Sequence, residues 1–117
     1  MADPRQLLTD LHAAFNRRDL ETVLAAMHPD VDWPNAWEGG RVHGRSAVRA
    51  YWQRQFEQVS SRVDPVEFSD EGGGELVVEV RQVVHDPRSG ELINDSLVRH
   101  RYRLEGGLIV RMDVLEG

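Results

Sequence analysis

The chain contains no cysteine, which excludes disulfides, thiolate zinc sites and a thiol nucleophile together. It also contains no lysine. All 14 basic residues are arginine, so neither Schiff-base chemistry nor a P-loop lysine is available. No apolar run approaches the roughly 18 residues that span a bilayer, and the opening Met-Ala-Asp-Pro-Arg-Gln lacks the charged-then-apolar profile of a secretion signal. A cytoplasmic protein is therefore expected. Positive charge is scarce: the net charge of −6 speaks against nucleic acid, whose phosphates need a basic face, and equally against an anionic membrane surface. The five histidines, His12, His28, His43, His85 and His100, show no H-x-H or H-x-x-x-H spacing, so no metal is expected. Glycines sit in turns and not in G-x-G-x-x-G before a helix, and no nucleotide or other cofactor is expected.

What remains is an ordinary globular composition, 40% hydrophobic and 29% charged, over 117 residues, enough for one domain covering 1–117. Leu7, Leu8, Leu11, Ala14 and Phe15 recur at helical spacing. Asp19 caps a second helix with the stripe Leu20, Val23, Leu24 and Met27, which Pro29 stops. Val31 to Pro34 reads as a short strand. Ser46 is expected to cap a third helix with Val48, Tyr51, Trp52, Phe56 and Val59 along one side. After Arg62 the period changes from helical to alternating. Strands are expected at 63–70, 75–86, 91–105 and 108–115, separated by E-G-G-G, D-P-R-S-G and E-G-G turns. Helices followed by an antiparallel meander describe an α+β domain, with a hollow between helices and sheet.

Strand faces depend on hairpin register, and the apolar pattern selects one. A three-residue Glu105-Gly106-Gly107 loop pairs His100 with Met112, Tyr102 with Val110 and Arg99 with Asp113. The preceding hairpin then pairs Val84 with Leu92, Gln82 with Asn94, Val80 with Ser96 and Val78 with Val98. Apart from Arg99 and Asp113, these residues form the inner face together with Val114, whereas Arg81, His85, Arg99, Arg101, Arg103 and Asp113 point outward. Arg101 opposite Arg111 is repulsive unless a partner subunit supplies carboxylates, which favours a homodimer through the outer sheet face.

The stretch F-N-R-R-D-L-E-T-V-L-A-A-M-H-P-D-V-D-W, followed by H-G-R-S-A-V-R-A-Y-W and a closing G-G-L-I-V-R-M-D-V, resembles the nuclear transport factor 2-like superfamily. That superfamily includes ketosteroid isomerases and SnoaL-type polyketide cyclases. The resemblance covers nearly the whole chain and implies a cone-shaped fold, with three N-terminal helices packed on a curved, mostly antiparallel sheet around an apolar pocket. It also implies that the isomerase base position falls on Asn35, whose amide has no useful proton affinity near neutral pH. The isomerase oxyanion tyrosine falls near Leu11, its protonated aspartate on His100 and its supporting tyrosine on Trp52. Ordinary ketosteroid isomerase chemistry is thereby disfavoured. The epoxide-hydrolase pattern fails because Arg99 and Asp113 lie outward with no second carboxylate beside them. The dehydratase histidine pair fails because His85 and His100 stand too far apart.

A small-molecule-binding domain with a pocket for a hydrophobic or polycyclic ligand is the expected function. The alternatives are a cyclase or isomerase and a non-catalytic dimerisation or protein-docking module. His100 is the candidate acid–base group, or else a pocket-wall histidine bonded to a neighbour. Asn35 either orients a ligand carbonyl or caps a turn. Trp33 and Trp37 either line the pocket mouth or pack in the core, and the same choice applies to Tyr102 and Trp52. Gln82, Asn94, Ser96, Val98 and Met112 complete the expected wall.

Overall fold

A computed structural model describes residues 3–35 and 39–115; Trp37, one of the expected pocket residues, lies outside them. Helix α1 spans Pro4–Asn16 and starts where the Asp3 carboxylate accepts the Arg5 amide. Helix α2 spans Leu20–Ala25, capped by Asp19, whose carboxylate accepts from the Thr22 amide. Strand β1 is Met27–Pro34 and β2 is Arg41–His43, followed by helix α3, Arg45–Gln58. The meander is β3 Ser60–Gly72, β4 Glu75–His85, β5 Leu92–Glu105 and β6 Leu108–Leu115. Among the described residues no helix is long and apolar enough to cross a membrane.

One curved six-stranded sheet runs in the order β2-β1-β6-β5-β4-β3, and only the β1–β6 pair is parallel. Strand β6 lies beside β1, and β1 and β2 precede α3 in the chain. Three helices are present among the described residues, the third separated from the first two by the strand expected at Val31–Pro34 and by β2, which was not expected. Strand β1 is also longer than expected. It runs through Pro29, and its register against β6 shifts between Met27 and Asp32, as the missing proline amide requires. Helix α3 starts at Gly44 (φ 87) with no side-chain cap bond, not at Ser46. The Arg45 guanidinium instead donates to the Met27 carbonyl, tying the helix start to β1.

Both hairpin registers differ from expectation by two residues, and both keep the expected faces through most of their length. The last loop is the two-residue Gly106-Gly107, with Glu105 opposite Leu108. One extra residue in β6, at Val110, then places Tyr102 opposite Met112, His100 opposite Val114 and Arg101 opposite Asp113. An extra residue at Ile93 likewise sets Gln82 against Ser96, Val80 against Val98 and Val78 against His100. Leu92, beyond that irregularity and opposite His85, leaves the inner face, and at the β6 irregularity Ile109, opposite Leu104, takes the inward place expected of Val110. A bulge moves the ladder by one residue, which combines with a loop one residue from the expected length to restore parity. The like-charge pair is Arg103 with Arg111. Arg111 already binds Asp113 and Asp32, while Arg99 and Arg103 face Glu79 and Glu75 across the sheet. Carboxylates of the same chain thus stand opposite or beside these outer arginines, and repulsion no longer calls for a partner subunit.

The core lies between the helices and the inner sheet face. Leu8, Val23, Met27, Val31, Val48, Val78, Val80 and Ile109 are fully enclosed. At the β3–β4 turn the backbone itself is packed: the Gly74 carbonyl accepts from the Leu104 amide at 2.8 Å. A Cβ on Gly74, at φ +82, would lie 2.8 Å from the Leu104 carbonyl oxygen, whereas Gly73 at φ +62 has open space. Gly74→Ala is expected to destabilise by about 2 kcal/mol or more and Gly73→Ala by about 1 kcal/mol, measured by urea unfolding. Equal costs would show that the close approach to β5 carries no energy.

Candidate functional site

A cavity of about 160 Å³ lies between α1, α3 and the inner face of the sheet. One wall is aromatic. Phe15 from α1, Trp33 from β1 and Trp52 from α3 meet edge to face, with centroids 5.4 Å apart for Phe15–Trp52 and 5.3 Å for Trp33–Trp52. The helical spacing of α3 turns Tyr51 and Trp52 inward, and alternation in β1 turns Trp33 inward while Asp32 points out. The facing wall carries Gln82, Val98, His100, Tyr102 and Met112 from the sheet.

Of the expected pocket residues, the cavity thus brings together Trp33, Trp52, Gln82, Val98, His100, Tyr102 and Met112. Asn35 is not on its wall. It is buried past the end of β1, where its amide donates to the Gly40 carbonyl and its carbonyl accepts from Gly39. This loop geometry follows from the glycine pair that turns the chain into β2. Asn94 is exposed and gives its side-chain amide to Ser96 Oγ. Asn35, Asn94 and Ser96 are not among the residues that line the cavity: the first lies in the turn after β1, the other two toward the β4–β5 end of β5.

Three polar residues on the wall escape the sequence reading: His12, Gln55 and Ser61. His12 is 2% exposed and stands four residues after Leu8 and three before Phe15, a spacing that places it on the apolar stripe of α1. Ser61 falls in phase with Val63, but the strand was expected to begin only at 63. Gln55 follows Tyr51 by one helical turn and donates to its hydroxyl at 3.2 Å.

The electrostatics of this wall are those of uncharged groups. His12 Nδ1 lies 2.6 Å from the Leu8 carbonyl; a carbonyl only accepts, so Nδ1 carries the proton and Nε2 is the acceptor of the neutral ring. Burial pulls the His12 pKa down, against the opposing effects of that bond and of Asp64. Burial, and then the charge of His12, push His100 down to about 4. Tyr102 stands between them, 6.2 Å from the His12 ring and 6.3 Å from the His100 ring, and burial raises its phenol above the usual range. Two buried polar atoms on the wall have no hydrogen-bond partner among the described residues, Ser61 Oγ and His100 Nδ1.

Charge gathers on the opposite, outer face. Arg41 from β2 binds Asp32, Asp113 and the Met112 carbonyl, and Arg111 binds both carboxylates. Burial pushes Asp32 up, but Arg41 and Arg111 outweigh it and leave the carboxyl below its ordinary range. Asp113 is held down chiefly by its bond from Arg111. Two carboxylates do share an arginine here, contrary to the expectation of an isolated Asp113, whose cross-strand neighbour is Arg101 instead of Arg99. The cluster nevertheless faces away from the cavity. No group of metal-ligating side chains occurs among the described residues.

Residues 8–112 match the sequence profile of the SnoaL-like domain. Among solved structures, a nuclear transport factor 2-like protein of unknown function from Burkholderia pseudomallei is 29% identical, with a TM-score of 0.85 over 100% of this chain and 92% of that one. TerC, co-crystallised with polyporic acid, is 24% identical at a TM-score of 0.82, covering 96% and 89%. Rv0760c from Mycobacterium tuberculosis, in complex with estradiol-17β-hemisuccinate, is 19% identical at a TM-score of 0.80, covering 95% and 91%. No curated protein sequence gives a significant match.

The histidine environment has a definite pH signature. A histidine whose folded pKa lies below its unfolded value of 6.5 binds fewer protons when folded. Stability is therefore full above pH 6.5, falls as pH drops through 6.5, and stops falling near 4. His100 accounts for roughly 3 kcal/mol of that fall, and His12 adds in the same direction. His100→Leu is expected to lose markedly less stability than wild type between pH 7 and pH 4.5, measured by urea unfolding at the two pH values. Parallel losses in the two proteins would refute the buried neutral ring.

Proposed function

The chain belongs to the SnoaL-like domain family, and we propose that it is a small-molecule-binding domain whose ligand is a compact hydrophobic ring compound held between helices and sheet. The observation that supports this reading is the cavity itself: aromatic on one side, apolar with a few polar groups on the other, and open at its mouth. An apolar space of about 160 Å³ is close to the roughly 150 Å³ that accommodates benzene in an engineered protein core. One ring fits inside; a polycyclic ligand keeps its further rings at the mouth. The two relatives crystallised with polyporic acid and with estradiol-17β-hemisuccinate place ring compounds in proteins of the same fold, which supports the ligand class and not its identity.

The cyclase or isomerase reading rests on His100. A ring held down to about 4 is a weak base and no acid at neutral pH. Asn35, off the wall, does not orient a carbonyl there, so Tyr102 supplies the remaining hydroxyl. Binding is accordingly the better-supported function. Under the enzyme reading His100→Ala abolishes turnover and spares binding. A pure docking module has no use for a hollow lined by Gln82 and His100. The outer-face homodimer now rests on exposed apolar side chains, Leu97 at 61% and Ile93 at 56%, and no longer on charge.

Trp33 and Trp52 are expected to report occupancy directly. Titration with toluene or indane should change the tryptophan emission saturably and raise the melting temperature, and Val98→Phe, which fills the cavity from the sheet side, should remove both responses while the protein still unfolds cooperatively. Unchanged binding in Val98→Phe, or no response to any one- or two-ring compound in wild type, would overturn the proposal.

A further inference from the structure

We propose a second binding site, separate from the cavity: a groove on the outer face of the sheet at the β3 edge takes a phosphate group, held by Arg18, Arg62 and Arg81. The site goes beyond the ring-binding reading and does not depend on it.

The groove encloses about 530 Å³ over β3 and β4. Ser60 stands opposite His85, Arg62 opposite Val83 and Asp64 opposite Arg81. Residues paired directly across strands share a face, so these six side chains project together on the outer side. Arg18 closes the groove from the end of α1. Alternation along β3 sends Ser61 and Val63 to the cavity and Ser60, Arg62 and Asp64 to the groove. Strand β3 is thus the wall between the two spaces.

The first observation is charge. Three arginines line the groove with a single acidic residue, Asp64, in a chain whose net charge is −6. Arg62 binds Asp64, and Arg81 binds Asp95 on β5. Each uses Nε and Nη2 for its carboxylate and keeps Nη1 outside those bonds. Arg18 has no carboxylate partner among the described residues; its guanidinium donates to the Phe15 carbonyl at 3.0 Å and to Ser60 Oγ at 3.4 Å. One positive charge and the free Nη1 groups of two further arginines therefore face the same space. Guanidinium groups match the oxygens of a phosphate in geometry as well as charge.

The second observation is the backbone at Arg18. Among the described residues it is the one non-glycine in the left-handed region, at φ 64. It ends α1 with its own amide bonded to the Phe15 carbonyl and the Asp19 amide bonded to the Ala14 carbonyl, a position where glycine is usual. Arginine bears strain there that glycine avoids. The turn sets its guanidinium over the Phe56 ring at 4.4 Å, beside Ser60. A cation already stacked and bonded loses little freedom when an anion arrives.

The test is titration of the ¹⁵N-labelled protein with inorganic phosphate and with phenyl phosphate at pH 7.5, ionic strength being held constant with sodium chloride. Both probes are expected to shift the Ser60, Arg62 and His85 amide resonances saturably, with a Kd on the order of 1 mM. Arg18→Gln and Arg81→Gln are each expected to weaken binding about tenfold. Arg103→Gln, which lies on β5 opposite Glu75 and outside the groove, should leave the affinity unchanged. Arg81 is exposed, so Arg81→Gln keeps the test open if Arg18→Gln fails to fold. Tighter binding of phenyl phosphate identifies an organic phosphate as the occupant and equal binding the free anion; both support the site. Shifts that rise linearly without saturation, equal shifts from chloride alone, or an affinity that Arg81→Gln leaves intact would overturn the proposal.

Discussion

Two edge-to-face aromatic contacts and one tilted one hold the layers of this domain apart. Phe15, Trp33 and Trp52 come from α1, β1 and α3, and their rings meet at 5.3–5.4 Å with interplanar angles of 71° and 79°; Trp33 also leans on Tyr102 from the sheet, at 6.1 Å. Rigid rings in this arrangement fix the spacing of the elements that carry them. They cannot flatten to let the helices settle onto β4 and β5. The hollow is thus a consequence of the same rings that build the core, and its polar wall residues are buried without being pressed into contact with one another.

From that spacing follows a partition of charge. The inner side holds two histidines kept neutral by burial, a tyrosine kept protonated and two glutamines. The outer side holds arginine and aspartate in mutually compensating pairs, with Arg41 joining β2, β1 and β6. The exposed pairs add little stability singly, but the partly buried Arg41 cluster clasps the one parallel junction of the sheet, where Pro29 interrupts the ladder. Acid–base chemistry inside is limited by the burial of His100. A histidine with a pKa near 4 hydrogen-bonds well and protonates poorly, which sets binding ahead of catalysis.

How much of this could be read from the residues depends on which regularity carried the information. Period 3.6 located α1 and α3, and period 2 located the meander. Face assignment depends only on parity, so Val98, His100, Tyr102 and Met112 were placed on the correct side even though both hairpin registers were off by two. The partners were not legible, because nothing in Ile93 or Val110 announces a bulge and a two-residue Gly-Gly loop competes closely with a three-residue one. His12 was hidden by its residue type: it occupies an apolar stripe position, and a polar side chain there reads as surface until burial is known. Asn35 was placed by resemblance at a base position, but its backbone bonds to Gly39 and Gly40 depend on how the chain turns into β2, a strand too short to show a period.

The central claim is that the space behind Trp33 and Trp52 receives the ring of a small hydrophobic compound. A crystal structure of the protein with benzyl alcohol tests it most directly. The expected result is the ring between Trp52 and Val98, with the aromatic wall unmoved. A cavity filled instead by rotated Trp52 or Met112 side chains, or a ring bound elsewhere on the protein, would contradict it.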